Sequence, residues 1–481
     1  MKHWILESHT ESHGEFFLIG DNLSLSRNDF ITKSLSAAEY LSSRNIREGD
    51  HVAIYCDNKW EYLAIVQALW FIGAVPILFH TRVVSSDLEK MINKSNSRFI
   101  ITDRIDIDSF AENKIDKIFV NQIFEFTQSF ELSSSCGFNV NKKAVCLFTS
   151  GSTGKSKLVV HTFNSLKENF LQSKLLFNFT EIDIWLLSLP LYHIGGFMIF
   201  VRGLLSNAQL FIPKNSSQSE ILSVLKSKPI TYCSIVPTTL QRMTEENFRP
   251  NKSVRNIFVG GGPGDANVFF LAMQAGYPIS KVYGSTETSS MICALSGDFP
   301  IDKMESVGKP IGNTKILIDK STSQKPVHTG EILIKTSSIF NEYYNDEQAT
   351  LDAFKDGYYK SGDSGYFDDE GFLYITGRID NIIVSGGENI SSVEVEESIK
   401  SIAEVEDAVV VGIDDLIWGR AVAAAIVLKE SCECEEAKIR NDLKKQIAPH
   451  KIPKKIIFVK SIPINEMGKT NYDELVKLFK D

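Results

Sequence analysis

Short runs of β-branched and aromatic residues alternate with stretches of helical spacing through the N-terminal two thirds of the chain. This alternation constrains the fold more than any other feature. Apolar residues recur at helical spacing over 29–44 and 62–72, and 51–55 and 98–102 read as strands. Further apolar strands recur at 184–189, 209–212, 231–235, 256–259 and 281–283. A chain that switches in this way between strand and helix predicts an α/β architecture with largely parallel sheets. The pattern changes after residue 311: 315–318 and 330–335 read as strands of a β-rich subdomain, and 371–375 and 380–384 as hairpin-type strands. From Ser392 a helix, two strands (405–413 and 421–428), a second helix (435–446) and a last strand make an α+β unit. That unit is about 100 residues, a plausible independent domain. The expected division is 1–379 and 380–481, with the boundary near Asp380.

A chain of 481 residues holds more than one domain and buries large cores. With 43% hydrophobic and 23% charged residues it reads as an ordinary globular protein, and a net charge of −9 argues against nucleic-acid partners. Its seven cysteines are scattered, with neither metal spacing nor a disulfide framework, which fits a reducing cytosol. Residues 1–12 lack the charged-then-apolar order of a secretion signal. The apolar run 62–79 is interrupted by Gln67, Gly73 and Pro76. Pro76 would break a spanning helix. A buried helix ending near Gly73, followed by a buried strand from Val75, is the expected outcome, not a membrane span.

The segment Thr149, Ser150, Gly151, Ser152, Thr153, Gly154, Lys155, Ser156, Lys157 follows the apolar strand 144–148. Its five hydroxyls, two glycines and two lysines offer backbone N–H groups, hydroxyl donors and cations to a phosphate chain. It is not a Walker A loop, because two residues rather than four separate Gly151 from Gly154. Alone, such a segment is as readily a flexible surface turn. Other constellations follow it in order. Residues 189–196 lead from a strand into an apolar helix and contain His193 and Gly196. Tyr283, Gly284, Ser285, Thr286 and Glu287 follow another strand, and Ser361-Gly362-Asp363 lies further on. Then come Gly377-Arg378-Ile379-Asp380, Ser385-Gly386-Gly387-Glu388 and, near the C-terminus, Gly468-Lys469-Thr470. Taken singly, each has a structural alternative. His193 could be a satisfied core histidine, and 283–287 a strand end and helix cap. Residues 361–363 could form an Asx-type turn, and Lys469 could be a solvated lysine after a glycine turn.

In this order and spacing the motifs resemble those of the adenylate-forming superfamily of acyl-CoA synthetases, luciferases and peptide-synthetase adenylation domains. The resemblance runs from about Asp29 to Leu478. It implies a large N-terminal domain of stacked sheets and helices with a β-rich subdomain, and a small mobile α+β C-terminal domain. It implies that Thr149, Ser150, Gly151, Ser152, Thr153, Gly154 and Lys157 hold the ATP phosphates. Gly260, Gly261, Gly262 and Tyr283 would form the adenine site, and Asp363 and Arg378 would contact the ribose. Thr286 would contact the α-phosphate, Glu287 would bind Mg²⁺, and Lys469 would be the adenylation lysine. Asp380 would be the hinge, and Gly386 and Gly387 would line the coenzyme A tunnel. Ser156, Leu158 and Ser392 depart from the family pattern of Pro, Gly and Pro, which bears on loop rigidity rather than on reacting groups. ATP, coenzyme A and a small carboxylic acid are the implied substrates and Mg²⁺ the implied cofactor, in the cytoplasm; a homo-oligomer is left open.

Residues 197–205 are apolar all round except Arg202, so the helix and its guanidinium should be buried. From the residues alone, a structural ion pair with a protein carboxylate is the favoured partner. The spacing of His193, Gly196 and Arg202 resembles the o-succinylbenzoate–CoA ligase branch of the family, as do 285–290. That resemblance implies an acyl pocket of His193, Gly196, Arg202, Gly284 and Ser285, with His193 also catalytic beside Thr286 and Lys469. The alternatives are a CoA ligase for another aryl or medium-chain acid, or an adenylating enzyme that loads a carrier protein.

Overall fold

The apolar segment that begins at Tyr62 folds as a helix, Trp60–Ile72, closed by Gly73 in the left-handed region (φ +83°) and followed by the strand Val75–Leu78. Glycine reaches that φ without a Cβ penalty, and its N–H caps the Leu69 and Trp70 carbonyls. Among the described residues no helix is long and apolar enough to cross a membrane. The computed structural model describes Trp4 and residues 17–57, 59–81, 85–104, 115–126, 139–149, 157–262, 265–297, 301–322, 329–379, 382–385, 388–415, 419–447, 449–464 and 470–479.

The chain forms two compact units. The first takes the described residues of Met1–Thr149, Ser156–Lys315 and Lys335–Asp352. It contains two large sheets. In the seven-stranded sheet the order is Glu342–Tyr343, Lys157–Thr162, Lys143–Thr149, Val75–Leu78, His51–Tyr55, Phe99–Thr102 and Asp116–Phe119. Its last five strands pair in parallel, and Lys157–Thr162 returns antiparallel to Lys143–Thr149. The nine-stranded sheet runs Lys309–Pro310, Ser290–Leu295, Ile279–Ser285, Asn256–Val259, Tyr232–Ile235, Ile184–Leu186, Gln209–Phe211, Leu18–Gly20 and Leu23–Leu25. Its middle is parallel and its ends are antiparallel.

Strand alternation explains why both sheets are buried on both faces. Val52 and Ile54 point into the central core with Phe30, Trp70, Trp185 and Phe200, whereas Ala53 and Tyr55 join a second core with Ile77 and Leu88. The helices Arg27–Ser43, Trp60–Ile72, Phe163–Phe177 and Ile194–Ser206 contribute to the central core. The outer face of the nine-stranded sheet is covered by Gln218–Ser227, Pro237–Glu245 and Ala266–Gln274. The stacked-sheet α/β architecture expected of the N-terminal part is therefore present.

The second unit takes the described residues of Ile316–Ile334 and Ala353–Asp481. It holds a five-stranded sheet built on the ten-residue strand Tyr358–Phe367, which pairs antiparallel with Gly330–Lys335, Phe354–Lys355 and Leu373–Arg378. It also holds the hairpin Ile382–Ser385/Glu388–Ser391, and a three-stranded sheet of Val405–Asp415, Gly419–Leu428 and Lys455–Phe458. The helices Ser392–Lys400 and Glu436–Leu443 pack Val395, Ile399, Ile439 and Leu443 on the three-stranded sheet.

Three local features were left open by the residues alone and are set by packing. Residues 157–162 form a strand, in which Leu158 and Val160 are buried between neighbours on both sides. Residues 361–363 lie inside a strand rather than at a turn, Gly362 supplying a left-handed residue (φ +71°) within it. Residues 283–287 lead into a hairpin, not a helix: the chain returns along Ser290–Leu295.

Candidate functional site

Thr286 and Glu287 sit at the tip of the hairpin joining Ile279–Ser285 to Ser290–Leu295. The turn is strained: Ser289 and Ser290 both have positive φ, 58° and 90°, which non-glycine residues adopt at a cost of about 1–3 kcal/mol each. Hydrogen bonds from surrounding elements hold it. The Thr288 hydroxyl accepts from Ser285 N (2.9 Å) and donates to Ser290 O (2.8 Å). Asn169 Nδ2 donates to Thr288 O (3.3 Å) and Met291 O (2.9 Å), and Ser338 Oγ donates to Thr288 O (3.1 Å). Phe340 N donates to Glu287 O (2.7 Å).

His161 closes the back of the turn. It is fully buried on the strand Lys157–Thr162, and its Nε2 lies 2.9 Å from Thr286 O. A carbonyl only accepts, so Nε2 carries the proton and Nδ1 is the acceptor facing the Ser165 and Ser289 hydroxyls at 3.3 and 3.1 Å. Burial pulls this imidazole down to about 4, so the ring is neutral at pH 7.

The Glu287 carboxylate is 9% exposed, and its Oε1 accepts a hydrogen bond from Tyr343 Oη at 2.9 Å. An ionised carboxylate has about four acceptor directions, of which this bond takes one. A hard cation that is content with one carboxylate and phosphate oxygens fits such a group, and Mg²⁺ is one. Lys157, at the exit of the hydroxyl-rich segment, places its Nζ 4.4 Å from the centroid of the same Tyr343 ring. Gly260 follows the strand Asn256–Val259. A Cβ there would meet Val282 Cγ2 at 2.7 Å, so only glycine lets this backbone lie against the strand carrying Tyr283. Gly261 (φ +88°) and Gly262 continue the loop on the surface.

His193 precedes the helix Ile194–Ser206 and packs against Tyr192 and His80, with ring centroids 4.7 and 5.9 Å away. A Cβ on Gly196 would lie 2.1 Å from Pro190 O, and one on Gly284 1.9 Å from Ser290 O. Both glycines thus have a packing reason that is independent of any ligand. Arg202 is 1% exposed. Its Nη2 donates to the neutral Asn169 Oδ1 at 3.2 Å, its guanidinium faces the Trp185 ring at 5.7 Å, and Nε has no hydrogen-bond partner. Burial pulls it down to about 9, so it remains charged at pH 7. The protein carboxylate expected from the residues alone is not there: among the described residues Arg202 makes no ion pair.

In the second unit, Asp363 and Arg378 are register partners on adjacent strands. Arg378 Nη1 donates to Asp363 Oδ1 and to Ser361 O, both at 3.0 Å. Ser150, Gly151, Ser152, Thr153, Gly154, Asp380, Gly386, Gly387 and Lys469 lie outside the described residues. Tyr343, His161, Asn169, Ser338 and His80 are site-adjacent residues that the sequence reading missed. No spacing marks them, because each reaches the hairpin or His193 from a distant segment.

A model of the AMP-binding enzyme family matches residues 7–344, and one of the AMP-binding enzyme C-terminal domain matches 394–469. The chain belongs to the AMP-binding enzyme family. The 2-succinylbenzoate–CoA ligase of Bacillus subtilis (strain 168) is 30% identical over 473 residues, covering 98% of this chain and 97% of that one. The ligase of the same name from Bacillus thuringiensis subsp. konkukian (strain 97-27) is 31% identical over 459 residues, 93% of this chain and 92% of the other. Among solved structures, o-succinylbenzoate coenzyme A synthetase from Bacillus subtilis in complex with AMP superposes with a TM-score of 0.91 at 30% identity, covering 99% of this chain and 98% of the other. The same synthetase in complex with ATP and magnesium ion gives 0.90 at 30% identity, covering 99% of each chain.

Proposed function

We propose that this chain is an AMP-forming 2-succinylbenzoate–CoA ligase serving menaquinone or phylloquinone synthesis in the cytoplasm. In the first half-reaction a substrate carboxylate oxygen attacks the α-phosphorus of ATP, the bond to the bridging oxygen breaks, and pyrophosphate leaves. In the second, the thiolate sulfur of coenzyme A, its proton given up to solvent, attacks the acyl carbon of the adenylate, and AMP leaves with the electron pair of the acyl carbon–phosphate oxygen bond. The protein supplies no nucleophile. It positions two anions and offsets their repulsion.

The roles fall on this chain's residues as follows. Thr286 donates to the α-phosphate from a turn whose carbonyl is fixed by His161. Lys157 and the hydroxyl-rich segment before it bind the β- and γ-phosphates. Glu287 would hold Mg²⁺, which when bound offsets phosphate charge. Asp363 accepts from the ribose hydroxyls, Arg378 orienting its carboxylate. Lys469 stabilises the first transition state. Asp380 is the hinge between residues 1–379 and 380–481, about which the C-terminal domain turns before coenzyme A reacts along Gly386 and Gly387.

The observation that carries the substrate assignment is Arg202. A buried guanidinium without an anion costs several kcal/mol. Among the described residues its side-chain hydrogen-bond partner is an amide oxygen. A dicarboxylic acid offers one carboxylate to ATP and leaves a second to pair with this arginine; a simple aryl or medium-chain acid leaves none. Arg202→Ala should therefore raise KM for 2-succinylbenzoate by an amount equivalent to about 2–5 kcal/mol, with KM for ATP nearly unchanged. A normal acid KM in a folded variant would return the substrate to the generic acid–CoA ligase reading. Joint loss of acid affinity, ATP affinity and melting temperature would make Arg202 a structural residue.

A further inference from the structure

Lys157 and Glu287 carry opposite charge, and both approach the same side chain. Among the described residues they form no ion pair with each other. What lies against both is Tyr343, 4% exposed, on the two-residue strand Glu342–Tyr343. That strand pairs with Lys157–Thr162, in the register Glu342↔Val160 and Tyr343↔Val159. The Tyr343 hydroxyl donates to Glu287 Oε1 at 2.9 Å while its ring face receives Lys157 Nζ at 4.4 Å. The two contacts reinforce one another. Donating a proton toward an anion enriches the ring in electron density, and an electron-rich ring attracts a cation more strongly.

The tyrosine is itself fixed. Its backbone N–H donates to Thr350 Oγ1 at 2.9 Å, and Phe340 packs on its ring at 4.7 Å. Phe340 also donates its N–H to Glu287 O at 2.7 Å, so one short segment grips both the backbone and the carboxylate of Glu287. A lysine and a glutamate free to meet would neutralise each other, and neither would remain for a triphosphate or its cation. A ring with a polar tip answers both charges and keeps them apart.

We propose that Tyr343 is a positioning residue of the nucleotide site: it holds Lys157 and Glu287 separated and oriented, so that the lysine remains available to phosphate and the carboxylate to a divalent cation. The proposal rests on the reading of Lys157 and Glu287 given above. It separates two effects by two substitutions. Tyr343→Phe keeps the ring for Lys157 and removes the hydroxyl from Glu287; Tyr343→Leu removes both.

The test uses the full-length protein. Mn²⁺ binding in the presence of a non-hydrolysable ATP analogue is followed by electron paramagnetic resonance, and ATP binding in EDTA by calorimetry. Tyr343→Phe should weaken Mn²⁺ binding about tenfold, the usual effect of losing a hydrogen bond to a charged group. It should leave ATP binding in EDTA within about twofold of wild type, since the cation–π contact survives. Tyr343→Leu should weaken both. Glu287→Gln is the control for the carboxylate. Wild-type Mn²⁺ affinity in Tyr343→Phe, with Glu287→Gln impaired, would overturn the role of Tyr343 and leave the nucleotide site standing. Equal loss of both affinities in Tyr343→Phe, with a lowered melting temperature, would make the tyrosine merely structural and overturn it as well. No nucleotide binding by wild type, or no effect of Glu287→Gln on Mn²⁺, would remove the underlying reading and the proposal with it.

Discussion

His161 has no contact with any reacting group in this account: Nε2–H holds the Thr286 carbonyl in either protonation state, and what titration changes is the cost of keeping a charged ring buried. Its pKa falls from 6.5 to about 4 on folding. Between these values the unfolded chain binds the proton and the folded protein does not. The stabilisation is therefore complete above pH 6.5 and is lost as pH falls toward 4, by about 3 kcal/mol in all. His161→Gln keeps an amide N–H for Thr286 O and removes the titration. The difference in unfolding free energy between wild type and variant should accordingly shrink from pH 8 to pH 4.5. A constant difference across that range would show that His161 is not buried and neutral. At this scale the sequence singled out residues that the fold sets side by side, Thr286 with Glu287 at one hairpin tip and Asp363 with Arg378 across one strand pair. Thr286, Glu287, Asp363 and Arg378 occur in short ordered motifs whose residue types suit phosphate, cation and ribose. The unpaired state of Arg202 was not legible, because an apolar helix predicts burial but not which partner is missing.

At the level of elements, the alternation of strands and helices was readable because the central strands, such as His51–Tyr55, Val75–Leu78 and Phe99–Thr102, are short apolar runs, while helices such as Arg27–Ser43 carry apolar residues at helical spacing. The returning strand Lys157–Thr162 was missed because its start lies within a run of hydroxyls and lysines that reads as loop. The clamp on the 283–290 turn was beyond reach for a different reason. Ser289 and His161 are 128 residues apart, and no local pattern encodes a contact of that separation. The hairpin geometry also fixes Gly284. Its Cβ substitute would lie 1.9 Å from one backbone atom and 2.6 Å from the next, so the turn must open to admit it. Gly284→Ala should cost about 1–3 kcal/mol or more of stability and disturb the Thr286–Glu287 tip. Differential scanning calorimetry checks this; an unchanged melting temperature would mean the bulged register at Tyr283/Gly284 is wrong.

For the whole molecule, the account asks one chain to run two half-reactions with different needs. On the proposed assignment Lys469 serves only the first, so Lys469→Ala should slow adenylate formation roughly a hundredfold or more while sparing thioester formation from supplied acyl-adenylate. Equal loss in both would contradict its assignment. Asp380→Pro fixes φ at the proposed hinge and should leave one half-reaction intact while the other collapses. Unaltered turnover would place the hinge elsewhere.

The central claim is that the chain joins an aromatic dicarboxylic acid to coenzyme A through an adenylate, with Arg202 answering the second carboxylate. The most direct test is a comparison of kcat/KM for 2-succinylbenzoate with those for benzoate and octanoate. The wild-type protein is assayed with ATP, Mg²⁺ and coenzyme A, and AMP and the thioester are identified by mass spectrometry. The account predicts stoichiometric AMP and 2-succinylbenzoyl-CoA, with a preference of about a hundredfold or more over either monocarboxylate. Equal or faster turnover of a monocarboxylate, or thioester formed without AMP, would contradict it.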